Sequence, residues 1–355
     1  MFARLYWGEL RKQTSKSVII TLLIITAVLL LLTAVLFDSV NDLIDSVADD
    51  IPPEEGIEPI RDSYLTVYTP QSVEEQLTIY RALLDGAERE KEELGFDYYR
   101  NPDAVYHYKG QIAMLEYIRD NELYGVELAY ASGLGVSTGA RFTAETFVTT
   151  VGTILLLIVI IYAAIVSGGT FADEFKRGTV KMLFIRPSGR GTIVTAKLVS
   201  ALTHSIAAYT VMFALTAAVG YAVFPASGAQ TIYSFNNSAF TVSSSSNILG
   251  IMFATNLIEV LTYAVIAFAA GALTRNKVFG IVAPIILIEV VGMIISMFGL
   301  GRFFITDAAD WSQFVGVSNL PYGGANFFIS LPVWIVWTAA LTVSAYLAVI
   351  KRDAA

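Results

Sequence analysis

Two carboxylates stand where hydrocarbon is expected: Glu259 and Glu289 each sit inside a long apolar stretch. The basic pair Arg275 and Lys277 between those stretches marks a membrane surface. At 1.5 Å per helical residue, Glu289 then lies about 17 Å deep and Glu259 about 23 Å deep. A charge at that depth costs at least about 2.5–3.5 kcal/mol, so each acid must face protein, water or a partner. They could line a path and bind a cation, a proton or a cationic group. Protonated, they could equally hydrogen-bond a neighbouring helix, and both readings stay open. Only two histidines occur, His107 and His204. His204, about 10 Å from the same surface, is expected to bond helix to helix.

The second chemical cluster is a charged segment. It runs Asp173-Glu174-Phe175-Lys176-Arg177-Gly178-Thr179, through an apolar Met182 to Ile185, then Pro187-Ser188-Gly189-Arg190 to Lys197. It reads as a short charged helix, a glycine break, an apolar stretch, a proline turn and a basic return. That is too short for a domain and too patterned for a plain linker.

The elements that position these residues follow from hydropathy. Of 355 residues, 55% are hydrophobic and 15% charged, with a mean hydropathy of +0.61. No charge occurs from Ser17 to Phe37, nor from Thr146 to Ala172. About 20 apolar residues cross a bilayer core, and only helices or closed barrels satisfy their backbone there. The sequence predicts an all-α polytopic protein with six spans, roughly 17–37, 147–170, 198–224, 248–273, 279–298 and 332–350. Lysine and arginine orient them. Fourteen lie at the N-terminus, in the segment 176–197, at Arg275 and Lys277, and at Lys351 and Arg352; the short opposite loops hold only Arg302. Both termini are therefore expected in the cytoplasm.

Between the first two spans, residues 38–146 hold 23 acidic and 8 basic residues, a net of −15 that leaves +7 for the remainder. An acidic, helical extracellular domain is expected, one that repels nucleic acid. A capping-box pattern at Ser72 and Glu75 opens one helix that carries Leu77, Tyr80, Leu84 and Ala87 and ends at Gly95. A second opens at Asn101-Pro102 and carries Val105, Tyr108, Ile112 and Leu115 as far as Gly125. Residues 1–16 place Phe2, Leu5, Tyr6 and Leu10 on one face, as in a helix lying along the inner surface. Because residues 17–37 are longer than a signal-peptide core and lead into Asp38-Ser39, an uncleaved first span is expected. Residues 147–350 then carry the remaining five spans, with the charged segment as a loop over 171–197 and a short tail at 351–355. The glycines and alanines of Gly168-Gly169 and Ala267 to Ala272 suit close helix packing. Phe303, Phe304, Trp311, Phe314, Tyr322 and Phe327 suit an aromatic segment at the outer interface. Cysteine is absent, so no disulfide or thiolate metal site is available.

The charged segment resembles the loop between the second and third spans of permeases in the type-2 ABC exporter family. There an acid is followed by Gly-Thr, an apolar stretch, a proline, a small residue, an arginine and a lysine opening the next span. Here those positions are Glu174, Gly178-Thr179, Met182 to Ile185, Pro187, Ser188, Arg190 and Lys197. Gly189 departs from the pattern by standing before the arginine. The resemblance implies an ATPase-coupling loop that includes Asp173, Glu174, Lys176, Arg177, Gly178, Thr179, Pro187 and Arg190. It further implies two copies of a separate ATPase subunit and a second permease copy, as homodimer or related heterodimer, in contact with membrane lipid. The chain would not be an enzyme, for no Gly-x-x-x-x-Gly-Lys-Ser/Thr phosphate loop occurs. It would carry no cofactor or metal itself, with ATP and magnesium on the partner. Family cargoes include antimicrobial peptides and other antibiotics, lipids, polysaccharides and sodium ions. An apolar path favours an amphiphile, while Glu259 and Glu289 keep sodium a candidate. The alternative is a membrane sensor or scaffold whose acidic outer domain binds a ligand or partner.

Overall fold

Among the described residues of the computed structural model, six helices are long and apolar enough to cross a membrane: Ile19–Leu43, Ala144–Lys176, Arg190–Val223, Ser245–Thr274, Lys277–Ser296 and Phe327–Lys351. The structure describes residues 2–13, 16–50, 66–94, 102–125, 127–132, 135–137, 142–179, 189–226, 230–234, 240–298, 300–315 and 326–351. In chain order, the helices are α1 (Phe2–Gln13), α2 (Lys16–Asp50), α3 (Pro70–Leu94), α4 (Pro102–Asp120), α5 (Ala144–Lys176), α6 (Arg190–Val223) and α7 (Ser245–Thr274). After them come α8 (Lys277–Ile285), a π-helical stretch Ile286–Val291, α9 (Gly292–Met297), α10 (Ile305–Ala309) and α11 (Phe327–Lys351). Among the described residues there are five strands, β1 (Thr66–Val67), β2 (Glu127–Ser132), β3 (Gly135–Ser137), β4 (Gln230–Ser234) and β5 (Phe240–Ser244).

The second and fourth spans form the middle of the bundle and the first and sixth its periphery. Inside, Phe147, Val151, Leu155, Val159, Tyr209, Val260 and Tyr263 make one apolar core. Lipid tails are as apolar as these side chains, so close packing rather than water exclusion must hold the bundle together. Glycine supplies that closeness. A Cβ on Gly271 would sit 2.3 Å from the carbonyl oxygen of Gly168, and one on Gly168 would sit 2.7 Å from the Gly280 carbonyl carbon. Backbones of the second, fourth and fifth spans thus touch directly, as the small-residue pattern suggested.

Between the fourth and fifth spans the chain reverses in two residues. Arg275 adopts a left-handed φ of 58°, its N–H donating to the Gly271 carbonyl at 3.0 Å. Asn276 then caps α8, its Oδ1 accepting from the Val278 N–H at 2.9 Å. Further along, Pro284 cannot donate to the helix ladder, and the hydrogen bonding shifts to the wider π register directly after it.

The connections after the first and third spans meet in one sheet, which the sequence reading, with its all-helical outer domain, did not anticipate. Its order is β1-β2-β4-β5, with β3 on β2; β2 and β4 run parallel, Leu128 opposite Gln230. The strands are short and Ser/Thr-rich, and β2 and β4 lie far apart in sequence, so no local periodicity exposes the pairing. α3 and α4 pack beside it around Val73, Leu77, Met114, Leu115, Ile118 and Ile232. The cap of α3 belongs to Thr69, not Ser72: Thr69 N–H donates to Ser72 Oγ at 2.9 Å and Ser72 N–H to Thr69 Oγ1 at 3.1 Å. Pro70 takes the first helical position, where its missing N–H costs nothing.

α2 continues to Asp50, well past Phe37, where the sequence ended the span. No glycine or proline interrupts it there. Asn41 anchors the extension, its Nδ2 donating to the Phe142 carbonyl at 3.1 Å while its Oδ1 accepts the Phe142 N–H at 2.9 Å. The aromatic segment between the last spans packs inward as much as it faces the surface. Phe304 and Phe314 are buried, and Trp311 touches both Phe327 and Trp334. Burial raises the Asp307 carboxyl above its ordinary value, with the Ser296 hydroxyl opposing the shift. Tyr322 lies outside the described residues.

Candidate functional site

The charged residues gather at the bundle end opposite the sheet, where α1, the end of α5 and the start of α6 converge. Asp173, Glu174 and Lys176 are the last turn of the second span itself rather than a separate short helix. Gly178 breaks it in the left-handed conformation, φ 68°, as the glycine implied. The Thr179 N–H returns to the Glu174 carbonyl at 3.1 Å.

Lys197 is the centre of this end. Its side chain is 0% exposed, with Nζ donating to Glu9 Oε2 at 2.6 Å and to Glu174 Oε1 at 2.9 Å. Lys12 also reaches Glu174 Oε1. Around them Ser200 donates to Gln13 Oε1 at 2.9 Å, and Tyr6 donates to Thr203 Oγ1 at 3.1 Å. A buried ion group of this kind needs every partner, because removing one leaves an uncompensated charge. Glu174, only 2% exposed, thus turns into the protein and fastens α1, α5 and α6 together. Lys277 adds the fifth span through Asp173 Oδ2 at 2.9 Å. Arg190 donates to the Ile350 carbonyl at 3.0 Å, a cation at the C-terminal end of α11.

The sequence-predicted loop therefore divides. Lys176, Arg177, Gly178 and Thr179 form an exposed rim, while Asp173, Glu174 and Arg190 hold elements together. Pro187, with residues 180–188, lies outside the described residues. Glu9 and Lys12 were missed. Glu9 lies three and four residues after Tyr6 and Leu5, on the face read as apolar. A lone acid on such a face was the available signal. Phe2 and Trp7, by contrast, stay exposed.

The intramembrane acids differ in setting. Glu259 is half-buried and within electrostatic reach of Glu289 and Asp310. Glu289 lies in the π-helical stretch on the bundle's exposed surface, its Oε1 accepting the Tyr263 hydroxyl at 2.7 Å. Among the described residues, no group of three or more His, Asp or Glu is placed to hold a metal ion. His204 pairs its Nδ1 with the Ser200 carbonyl at 2.9 Å inside its own helix.

Residues 111–355, which carry the last five spans and most of this charged end, match a family described as a protein of unknown function (DUF2705). The chain belongs to that family. Outside the DUF2705 match lie α1, the first span and α3. An uncharacterized protein, YhcI of Bacillus subtilis (strain 168), is 26% identical over 165 residues, covering 45% of this chain and 50% of that protein. The DUF2705 chain thus spans about half the length of the curated relative it matches.

Proposed function

We propose that this chain is the membrane-spanning permease subunit of an ABC exporter in a bacterial plasma membrane, with both termini and the charged end in the cytoplasm. The observation that carries the reading is the fastening of the loop. Glu174, Gly178-Thr179, Arg190 and Lys197 hold the order expected of a coupling loop, and the buried Lys197 group joins that loop to three helices. A push on the exposed rim Lys176–Thr179 would move α1 and the second and third spans as one body. Asp173 and Lys277 would carry it to the fifth span.

In this reading a separate ATPase subunit binds ATP and magnesium, docks on the rim and does the hydrolysis, while this chain breaks no bond. Two permease copies, identical or related, enclose the path. Exposed in an apolar surface, Glu289 gives that pairing a physical motive, since a carboxylate facing lipid is costly and one facing a second copy or a wet path is not. Glu259 and Glu289 would line the path for an amphiphilic peptide, antibiotic or lipid, or for sodium.

The test is co-expression with an ATPase subunit carrying a phosphate loop, followed by affinity capture and ATPase assay of the complex. Double charge reversal on the rim (Lys176→Glu with Arg177→Glu) is expected to cut captured ATPase at least tenfold, with the thermal unfolding temperature of the chain unchanged. Retention of the ATPase by that variant would sink the docking site. Full stability and ligand response with no ATPase bound would favour the alternative, a sensor or scaffold whose sheet-bearing outer unit, with its own core around Leu77 and Leu115, binds a ligand or partner.

A further inference from the structure

Two cavities meet at Tyr162. One is a polar chamber of about 300 Å³ at the charged end, walled by Glu9, Lys12, Asp173, Glu174, Arg177 and Lys277. The other is an almost wholly apolar groove of about 320 Å³ between the first three spans, walled by Leu23, Val159, Ala208, Val211, Met212 and Leu215. Each volume is in the range of a ligand site. Tyr162 belongs to both walls, so the chamber and the groove are neighbours along the second span. From Val159 in the groove to Asp173 in the chamber is 14 helical residues, about 21 Å at 1.5 Å each. That matches one leaflet with its headgroups, half of about 40–45 Å.

We infer that the two cavities together hold one phospholipid of the leaflet around the charged end, with an acyl chain in the groove and the headgroup in the chamber. An apolar groove at this depth borders lipid, and its occupant must be apolar as well. The charges around the chamber choose the headgroup. Asp173 is paired with Lys277, Glu9 with Lys197, and Glu174 through Oε1 with Lys12 and Lys197. Two groups are left over: the exposed Arg177, which makes no ion pair among the described residues, and Glu174 Oε2, which is buried without a hydrogen-bond partner. A phosphate suits the Arg177 guanidinium. A primary ammonium brings three N–H donors and answers Glu174 Oε2, whereas a quaternary ammonium has none. The head is therefore of the phosphatidylethanolamine kind. This assignment requires neither an ATPase nor transport.

The full chain in mild detergent is titrated with phosphatidylethanolamine, phosphatidylcholine and phosphatidylglycerol of equal acyl chains, and retained lipid is counted by native mass spectrometry. Phosphatidylethanolamine is expected to be retained at least tenfold over either other lipid. Filling the groove with Ala208→Trp, or with Leu215→Trp at its far end should the first fail to fold, is expected to lower that retention at least fivefold. Arg177→Gln is expected to lower it severalfold with the unfolding temperature unchanged. Equal retention of the ethanolamine and choline lipids, preference for the glycerol lipid, or undiminished retention in a folded groove-filled variant would each overturn the proposal.

Discussion

Lys197 shows how one side chain can be named by a motif and still be misjudged in role. Its place after Arg190 was legible in sequence, as the lysine opening the third span. Its complete burial between Glu9 and Glu174 was not, because Glu9 comes from a helix 188 residues away. Sequence spacing carries no information about such a meeting. Nor did it separate the inward Glu174 from the outward Lys176, although helical periodicity places residues two apart on different faces. Lys197→Ala should leave two buried carboxylates without their shared cation and destabilise the chain by about 3–5 kcal/mol. Neutralising the whole group with Glu9→Gln, Lys197→Met and Glu174→Gln should cost less than that single change. Thermal unfolding in detergent measures both, and equal losses would mean the group acts by packing rather than charge.

At the scale of elements, the sequence read best where hydropathy alone decides. All six spans were legible, with ends displaced by a few residues, because an apolar helix must be long enough to cross and its backbone has no other choice. Surface-exposed boundaries were harder. α2 runs on to Asp50 since a polar helix in water needs only the absence of a breaker and an anchor such as Asn41. The close approach of the second, fourth and fifth spans was legible in kind, from small residues, but not in its partners. Gly271→Ala places a Cβ 2.3 Å from the Gly168 oxygen, and such overpacking is expected to cost about 1–3 kcal/mol. Gly250→Ala, with nothing within 4 Å, should instead be neutral or stabilising by up to about 1 kcal/mol. Melting the two variants side by side checks the contrast; equal melting temperatures would mean the helices separate freely at this point.

For the whole molecule, the sheet and the charged end lie at opposite ends of one bundle, and the orientation follows if lysine and arginine mark the cytoplasmic side. The chain has no cysteine of its own, so single introduced thiols report cleanly. Ser246→Cys, exposed beside β5, should react with an impermeant maleimide applied outside intact cells, and Gly178→Cys only after the membrane is opened. The reverse pattern would invert the topology. What the sequence withheld at this scale was the sheet, whose strands come from separate connections and whose pairing follows no local pattern.

That sheet imposes an order of events on biogenesis. β2 is made before the second span, yet its parallel neighbour β4 follows the third, with Leu128 waiting for Gln230. At about 5–20 residues per second, β2, already flanked by β1 and β3, has to wait roughly 5–20 s for β4 while two membrane helices are synthesised and inserted. Until then its edge is open to any other extended segment nearby. The sheet thus closes only after the third span has been made, and its closure requires the connections after the first and third spans to lie on the same side of the membrane.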